Sequence, residues 1–269
     1  MDRYIGVFDS GLGGLTNVKE LHRLLPGENI VYFGDTGRVP YGSRSNDTII
    51  KYTFQDIRFL KSFPLKAIII ACGTVSSIAL DVVRKTEPDL PIIGVVEPSV
   101  KKAISLTKNG KIGVIGTEGT IRSGAYGDMV LKEAGNYRVF EKSCPLFVPL
   151  VENGYIESEA TRIIVRDYLT PLKTSGIDTL ILGCTHYPLL TDVIREVMGD
   201  EVSLISPGVE TAAWAKSYLE EEGLLNTSGK VGETEYYVSD GADKFARLAE
   251  NFLGSPIYED VKKIDIESW

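Results

Sequence analysis

Short apolar runs alternate with amphipathic segments along almost the whole chain, and that alternation limits what the chain can become. Tyr4–Asp9, Asn29–Asp35, Lys66–Cys72 and Pro91–Val96 read as strands, with helical patterns between them. The same rhythm resumes at Lys111–Gly116, Pro145–Pro149, Thr179–Cys184 and Val202–Ser206. Nearly continuous Val/Ile runs of this kind suit parallel strands buried on both faces, joined by right-handed βαβ crossovers. Ser45–Phe63 is an expected helix, as is Val209–Leu219, and Thr234–Val238 is a late strand. Expected breakpoints fall at Pro98, the Gly110 loop and Gly208.

The alternation also repeats itself. Ile5-Gly-Val-Phe-Asp9 echoes Ile112-Gly-Val-Ile-Gly116, and Ile68-Ile-Ile-Ala-Cys72 echoes Leu180-Ile-Leu-Gly-Cys184. The segment ending at Pro98 resembles the one ending at Pro207. These three pairs occur in the same order and at nearly the same separation. They predict two related α/β halves. If the halves face each other, their strand ends meet at a cleft, and one cysteine reaches it from each side.

Composition narrows the function. A chain of 269 residues with net charge −8 is poorly suited to nucleic acid or an anionic membrane as its main partner. No apolar run reaches the ~18 residues of a membrane span, and no secretory signal precedes the first strand. Three cysteines do not make a disulfide framework, so a reducing cytoplasm is the expected compartment.

Cys72 and Cys184 each end a strand and are followed by small or polar residues, Gly73-Thr74 and Thr185-His186. Those followers suit helix N-caps and ligand contacts better than core packing. A buried cysteine is often only a small hydrophobe, and Cys144, before Pro145, fits that reading. There is no Cys-x-x-Cys pair, and two histidines in all give little for a zinc site. Neither cysteine loop carries the arginine of a phosphatase, and His186 is too near Cys184 in sequence for a papain-like pair. What remains natural is proton transfer, one thiolate removing a proton from carbon while the opposite thiol supplies one. The carbanion between them needs hydrogen bonds and dipoles in a dry site. Asp9-Ser10-Gly11-Leu-Gly13-Gly14 can bring backbone N–H groups to an anion but lacks the dinucleotide spacing. Asp9 is equally readable as a helix cap and Tyr41 as a packing residue. Glu152 could be a solvated loop residue, and His186 a satisfied histidine or a proton-transfer aid.

With those residues in place, the chain resembles the glutamate racemases of the cofactor-independent aspartate/glutamate racemase superfamily. The matching segments are Gly6–Thr16, Gly34–Gly42, Ala71–Thr74, Gly116–Thr120 with Ser123–Tyr126, and Leu182–Leu190. They appear in family order over almost the whole length. The resemblance implies two α/β domains, residues 1–97 completed by 208–269 and residues 98–207, with the site between them, no cofactor, no metal, glutamate as substrate and a homodimer. It implies Cys72 as the thiol that deprotonates D-glutamate and Cys184 as the one that deprotonates L-glutamate. Asp9, Glu152 and His186 would assist proton transfer. Substrate contacts would come from Asp9, Ser10, Asp35, Tyr41, Gly42, Gly73, Thr74, Thr117, Thr120, Thr185 and His186. The implied role is D-glutamate supply for peptidoglycan.

One departure stands out: the family pattern Cys-Asn-Thr is Cys72-Gly73-Thr74 here, so an amide that could bond the substrate is missing. The N-terminal extension of members activated by a peptidoglycan precursor is also missing, so no such activation is expected. Two rival readings are an aspartate or hydantoin racemase of the same fold, and a two-lobed amino-acid-binding protein without catalysis.

Overall fold

The computed structural model describes residues 3–257 and 261–269. Among these residues, ten strands form two sheets. β1 (Tyr4–Asp9), β2 (Asn29–Gly34), β3 (Leu65–Ile70) and β4 (Ile92–Gly94) belong to the first. β5 (Lys111–Gly116), β6 (Arg138–Ser143), β7 (Thr179–Leu182) and β8 (Ser203–Ile205) make the second. β9 (Thr234–Val238) and β10 (Val261–Lys263) return to the first. The orders are β10-β9-β2-β1-β3-β4 and β6-β5-β7-β8, and every pairing is parallel.

The internal repeat therefore has a physical counterpart. β2-β1-β3-β4 and β6-β5-β7-β8 share one topology, with β1 and β5 in equivalent central places. Ile68, Ile69 and Ile70 in β3 are fully buried, as are Leu180 and Ile181 in β7, because helices cover both faces. The first sheet takes its strands from both ends of the chain and the second from its middle. Helix Pro207–Glu221 packs against Leu15–Leu24 and Val96–Leu106 and so joins the two.

One expectation needs correction and one strand went unanticipated. Pro145–Pro149 is not a strand: the strand is β6, and Phe147–Glu152 is helical. β6 carries Arg138, Glu141 and Lys142 at a sheet edge, so it lacks the apolar run that marks a buried strand. Pro98 and Gly208 each lie in the first turn of a helix. A proline is tolerated there because its missing N–H has no intrahelical partner to lose. Gly208 lets its helix approach the backbone carbonyl of Thr16, which an added Cβ would meet at 3.3 Å. β10 went unanticipated, being short and carrying two lysines.

The helix expected over Ser45–Phe63 spans Asn46–Leu60, with the Ser45 hydroxyl accepting from the Thr48 N–H. Removing this N-cap by Ser45→Ala is expected to cost about 1 kcal/mol of stability. A urea titration should show it as a lower midpoint with unchanged slope.

Candidate active site

In parallel α/β sheets, loops beyond the carboxyl ends of the strands gather the functional groups. Both sheets send those loops to one cleft of about 380 Å³. Cys72 lies two residues beyond β3 and opens the helix Gly73–Ile78; Cys184 lies two residues beyond β7. Both line the cleft, and both are almost wholly buried.

The two sulfurs have different surroundings. Cys72 Sγ lies 3.5 Å from the Ser10 hydroxyl. Burial pushes its thiol up to about 12, and the nearby Asp9 carboxylate adds to the rise against the hydrogen bonds of Ser10 and the Val75 N–H. Cys184 Sγ instead lies 3.9 Å from Nδ1 of His186, whose Nε2 is 3.1 Å from a Glu152 carboxylate oxygen. Burial alone would lower the His186 pKa, but its bonds to Cys184 and Glu152 and the charges around it raise it to about 10. Glu152 is correspondingly held below the usual carboxylate range by that histidine bond. That rise favours the cationic form of the imidazole, which is held between the Glu152 carboxylate and the Cys184 sulfur.

Asp9 is 1% exposed, at the end of β1, and does not itself line the cleft. Its Oδ2 accepts from the Gly11 N–H at 2.9 Å and its Oδ1 from the Thr185 hydroxyl at 3.4 Å. The second bond links the two halves. Burial raises the Asp9 pKa, opposed by the His186 charge. Three hydroxyls meet across the same seam: Thr74 lies 2.8 Å from Thr117 and 3.3 Å from Thr120, which are 3.1 Å apart. Thr117 also caps its helix by accepting from the Thr120 N–H.

The structure brings most of the expected residues to this cleft: Ser10, Tyr41, Gly42, Gly73, Thr74, Thr117, Glu152, Thr185 and His186 line it with the two cysteines. Thr120 stands just behind, through its hydroxyl contacts. Asp35 is not among the lining residues. Its carboxylate is fully buried, accepts from Arg38 Nε at 2.5 Å and from the Tyr41 hydroxyl, and so holds that loop in place. The Tyr41 hydroxyl is therefore directed to Asp35, with Asp56 3.4 Å away, while the residue lines the cleft.

Several contributors were not anticipated. Pro145, Val148 and Pro149 form an apolar wall. Val148 and Glu152 are four residues apart on one helix and so share a face, a pattern hidden by reading the segment as a strand. Phe252 sets its ring against His186, with centroids 5.3 Å apart. Only the periodicity of the C-terminal helix Ala242–Leu253 hinted that Phe252 would be internal.

Among the described residues no group of three or more His, Cys, Asp or Glu side chains could hold a metal ion. No described helix is long and apolar enough to cross a membrane.

Fold and site together define a two-lobed α/β protein that presents one thiol from each lobe to a shared cleft. The model of the Asp/Glu/Hydantoin racemase family matches residues 18–215, and the chain belongs to that family. A glutamate racemase of Geobacter metallireducens is 43% identical over 264 residues, spanning 98% of this chain and 97% of its own. That of Chlorobaculum tepidum is 46% identical, covering 95% and 94%. The crystal structure of a glutamate racemase from Francisella tularensis in complex with D-glutamate superposes with a TM-score of 0.93. It is 39% identical, covering 100% of this chain and 99% of that one. An aspartate racemase of Picrophilus torridus, 17% identical with a TM-score of 0.55, shares the fold.

Proposed function

We propose that this protein interconverts L- and D-glutamate by moving the α-proton between two thiols, without a cofactor. The observation that carries the reading is the meeting of Cys72 and Cys184 on one cleft from topologically equivalent strands of the two sheets. The relatives that cover nearly the whole chain are glutamate racemases, which favours glutamate over aspartate or a hydantoin.

With L-glutamate, the sulfur of Cys184 takes the α-proton, assisted by the cationic His186 at 3.9 Å. The electron pair left on carbon is then protonated on the opposite face by the Cys72 thiol. One proton has left carbon and one has arrived, so the charge has passed from one sulfur to the other. The reverse sequence converts D-glutamate. An upward-shifted Cys72 suits the role of resting acid, since its proton stays in place at neutral pH. The Ser10, Thr74, Thr117 and Thr185 hydroxyls are placed to hold the carboxylates and ammonium. The apolar wall excludes water, which strengthens those contacts. Asp9 acts as a positioning group through Gly11 and Thr185.

The same reading places the enzyme in the cytoplasm, where its three free cysteines stay reduced and D-glutamate is made for peptidoglycan. It also takes the active form to be a homodimer. Sedimentation should return twice the 29.5 kDa chain mass, and a monomer at working concentration overturns that part.

The deciding experiment uses purified, reduced protein without added pyridoxal phosphate. The circular-dichroism signal of L-glutamate should decay to zero, faster than those of aspartate and hydantoins under the same conditions. A constant signal for glutamate defeats the proposal. Binding without α-proton exchange in deuterated water would identify a binding protein instead.

A further inference from the structure

We infer that Gly73 is a positioning residue that sets the spacing of the two thiols. The inference rests on the proposed two-thiol reaction. Gly73 is the first residue of the helix Gly73–Ile78 and is not among the glycines with positive φ, so backbone conformation does not demand a glycine there. Its surroundings do. A Cβ on Gly73 would lie 2.3 Å from the carbonyl oxygen of Gly183 and 3.2 Å from its carbonyl carbon. The Cα of Cys184 would be 3.8 Å away.

These are contacts between the two lobes, and they are made to backbone. Gly73 directly follows Cys72, and the Gly183 carbonyl belongs to the peptide that leads into Cys184. The residue therefore stands between the two thiol-bearing stretches of chain. Both sides are held by backbone hydrogen bonds. The N–H of that peptide, on Cys184, donates to the Leu182 carbonyl at 2.7 Å, and the Gly183 N–H just before it donates to the Ile115 carbonyl of β5 at 2.7 Å. On the other side the Cys72 carbonyl accepts from the Ser76 N–H at 2.9 Å, the first bond of the helix. Elsewhere on the seam a glycine can meet a side chain: a Cβ on Gly13 would lie 2.2 Å from the Thr185 hydroxyl, and one on Gly42 2.8 Å from Thr117 Cβ. At Gly73 the obstacle is the main chain that carries Cys184.

An asparagine in this place, as in the family pattern, cannot be accommodated at the spacing seen here. The glycine removes an amide from the cleft and admits a closer approach of the lobes. The cost of changing it falls on catalysis, because displacing reacting groups by about 1 Å can lower a rate by about 10²-fold.

The test compares Gly73→Ala and Gly73→Asn with the wild type by melting temperature, kcat, KM and isotope exchange. In deuterated water, a thiol that has taken the α-proton can exchange it for a deuteron and return that to the same face of carbon. Wider spacing slows delivery from the opposite sulfur and so raises this exchange relative to inversion. Both variants are expected to melt near the wild-type temperature. Their kcat should fall by about 10- to 10²-fold, with a raised ratio of exchange to inversion. A crystal structure of Gly73→Ala should show the Gly183 carbonyl about 1 Å further from residue 73, beyond the contact distance that real Cβ atoms require. Wild-type kcat with an unchanged exchange ratio overturns the inference, as does an unmoved carbonyl. Failure of Gly73→Ala to fold also overturns it, since the residue would then support the fold and not the spacing. A wild-type enzyme that does not racemise glutamate defeats the proposed function, and the carbonyl displacement then still decides whether Gly73 sets the spacing.

Discussion

Cys72→Ala and Cys184→Ala are each expected to lower glutamate racemisation by at least about 10⁴-fold, the upper range of what a positioned acid or base supplies. Alanine cannot carry a proton. Both lie just beyond strand ends in the cleft wall, and losing one sulfur atom is expected to leave the fold intact. The informative readout is which enantiomer still exchanges its α-proton with deuterated water. Cys184→Ala keeps the Cys72 sulfur and should exchange D-glutamate alone; Cys72→Ala should exchange L-glutamate alone. Racemisation at wild-type rate in either variant would end the two-thiol mechanism. Exchange with the opposite pattern would reverse the assignment of faces.

The second large effect is expected at His186. His186→Asn removes the cation beside Cys184 and leaves Glu152 partly buried without its partner, lowering kcat/KM by about 10²- to 10³-fold. Both directions must lose equally, because the enantiomers have the same free energy in water and one equilibrium constant links them. The pH dependence follows from the direction of the shift. The His186 pKa is raised to about 10 against burial by its partners, so the cation persists through neutral pH and is lost as pH rises through about 10. The advantage of wild type over variant should therefore be level near neutrality and shrink at the alkaline end. The same group contributes to folding stability in full below its unfolded value, ~6.5, and progressively less up to about pH 10. A wild-type advantage that grows with pH would show that neutral imidazole, and not the cation, is the working form.

Much of the architecture of both sheets was legible because buried parallel strands leave a plain signature. Ile68–Ile70 and Leu180–Leu182 admit few other readings, and each run ends at a cysteine. The repeat made the pairing of those cysteines an inference from order and spacing, and the matching strand orders of the two sheets supply its structural basis. Edge strands were harder. β6 and β10 carry charge because one side of each meets no further strand, so their sequences lack the apolar run that reveals β3.

Polar site residues divided in the same way. Ser10, Thr74, Thr117 and Thr185 reach the cleft because each follows the end of a central parallel strand or opens the next helix. Asp35 also follows a strand, β2, but that strand lies between β1 and β9, and its loop turns toward Arg38 and Tyr41. Local sequence does not distinguish an aspartate facing a cleft from one facing a buried guanidinium. Glu152 was placed near the site by resemblance, yet its helix was read as a strand, so its shared face with Val148 was invisible.

The sequence by itself determined the class of fold, the existence of two related halves and the two thiols that end equivalent strands. Those features rest on periodicity and chain order, which every residue carries locally. Tertiary structure decided which histidine charge meets which sulfur, where the Asp35 carboxylate turns, and how closely the Gly73 and Gly183 backbones approach. These depend on contacts between lobes distant in sequence, where differences of about an ångström separate a bond from a collision.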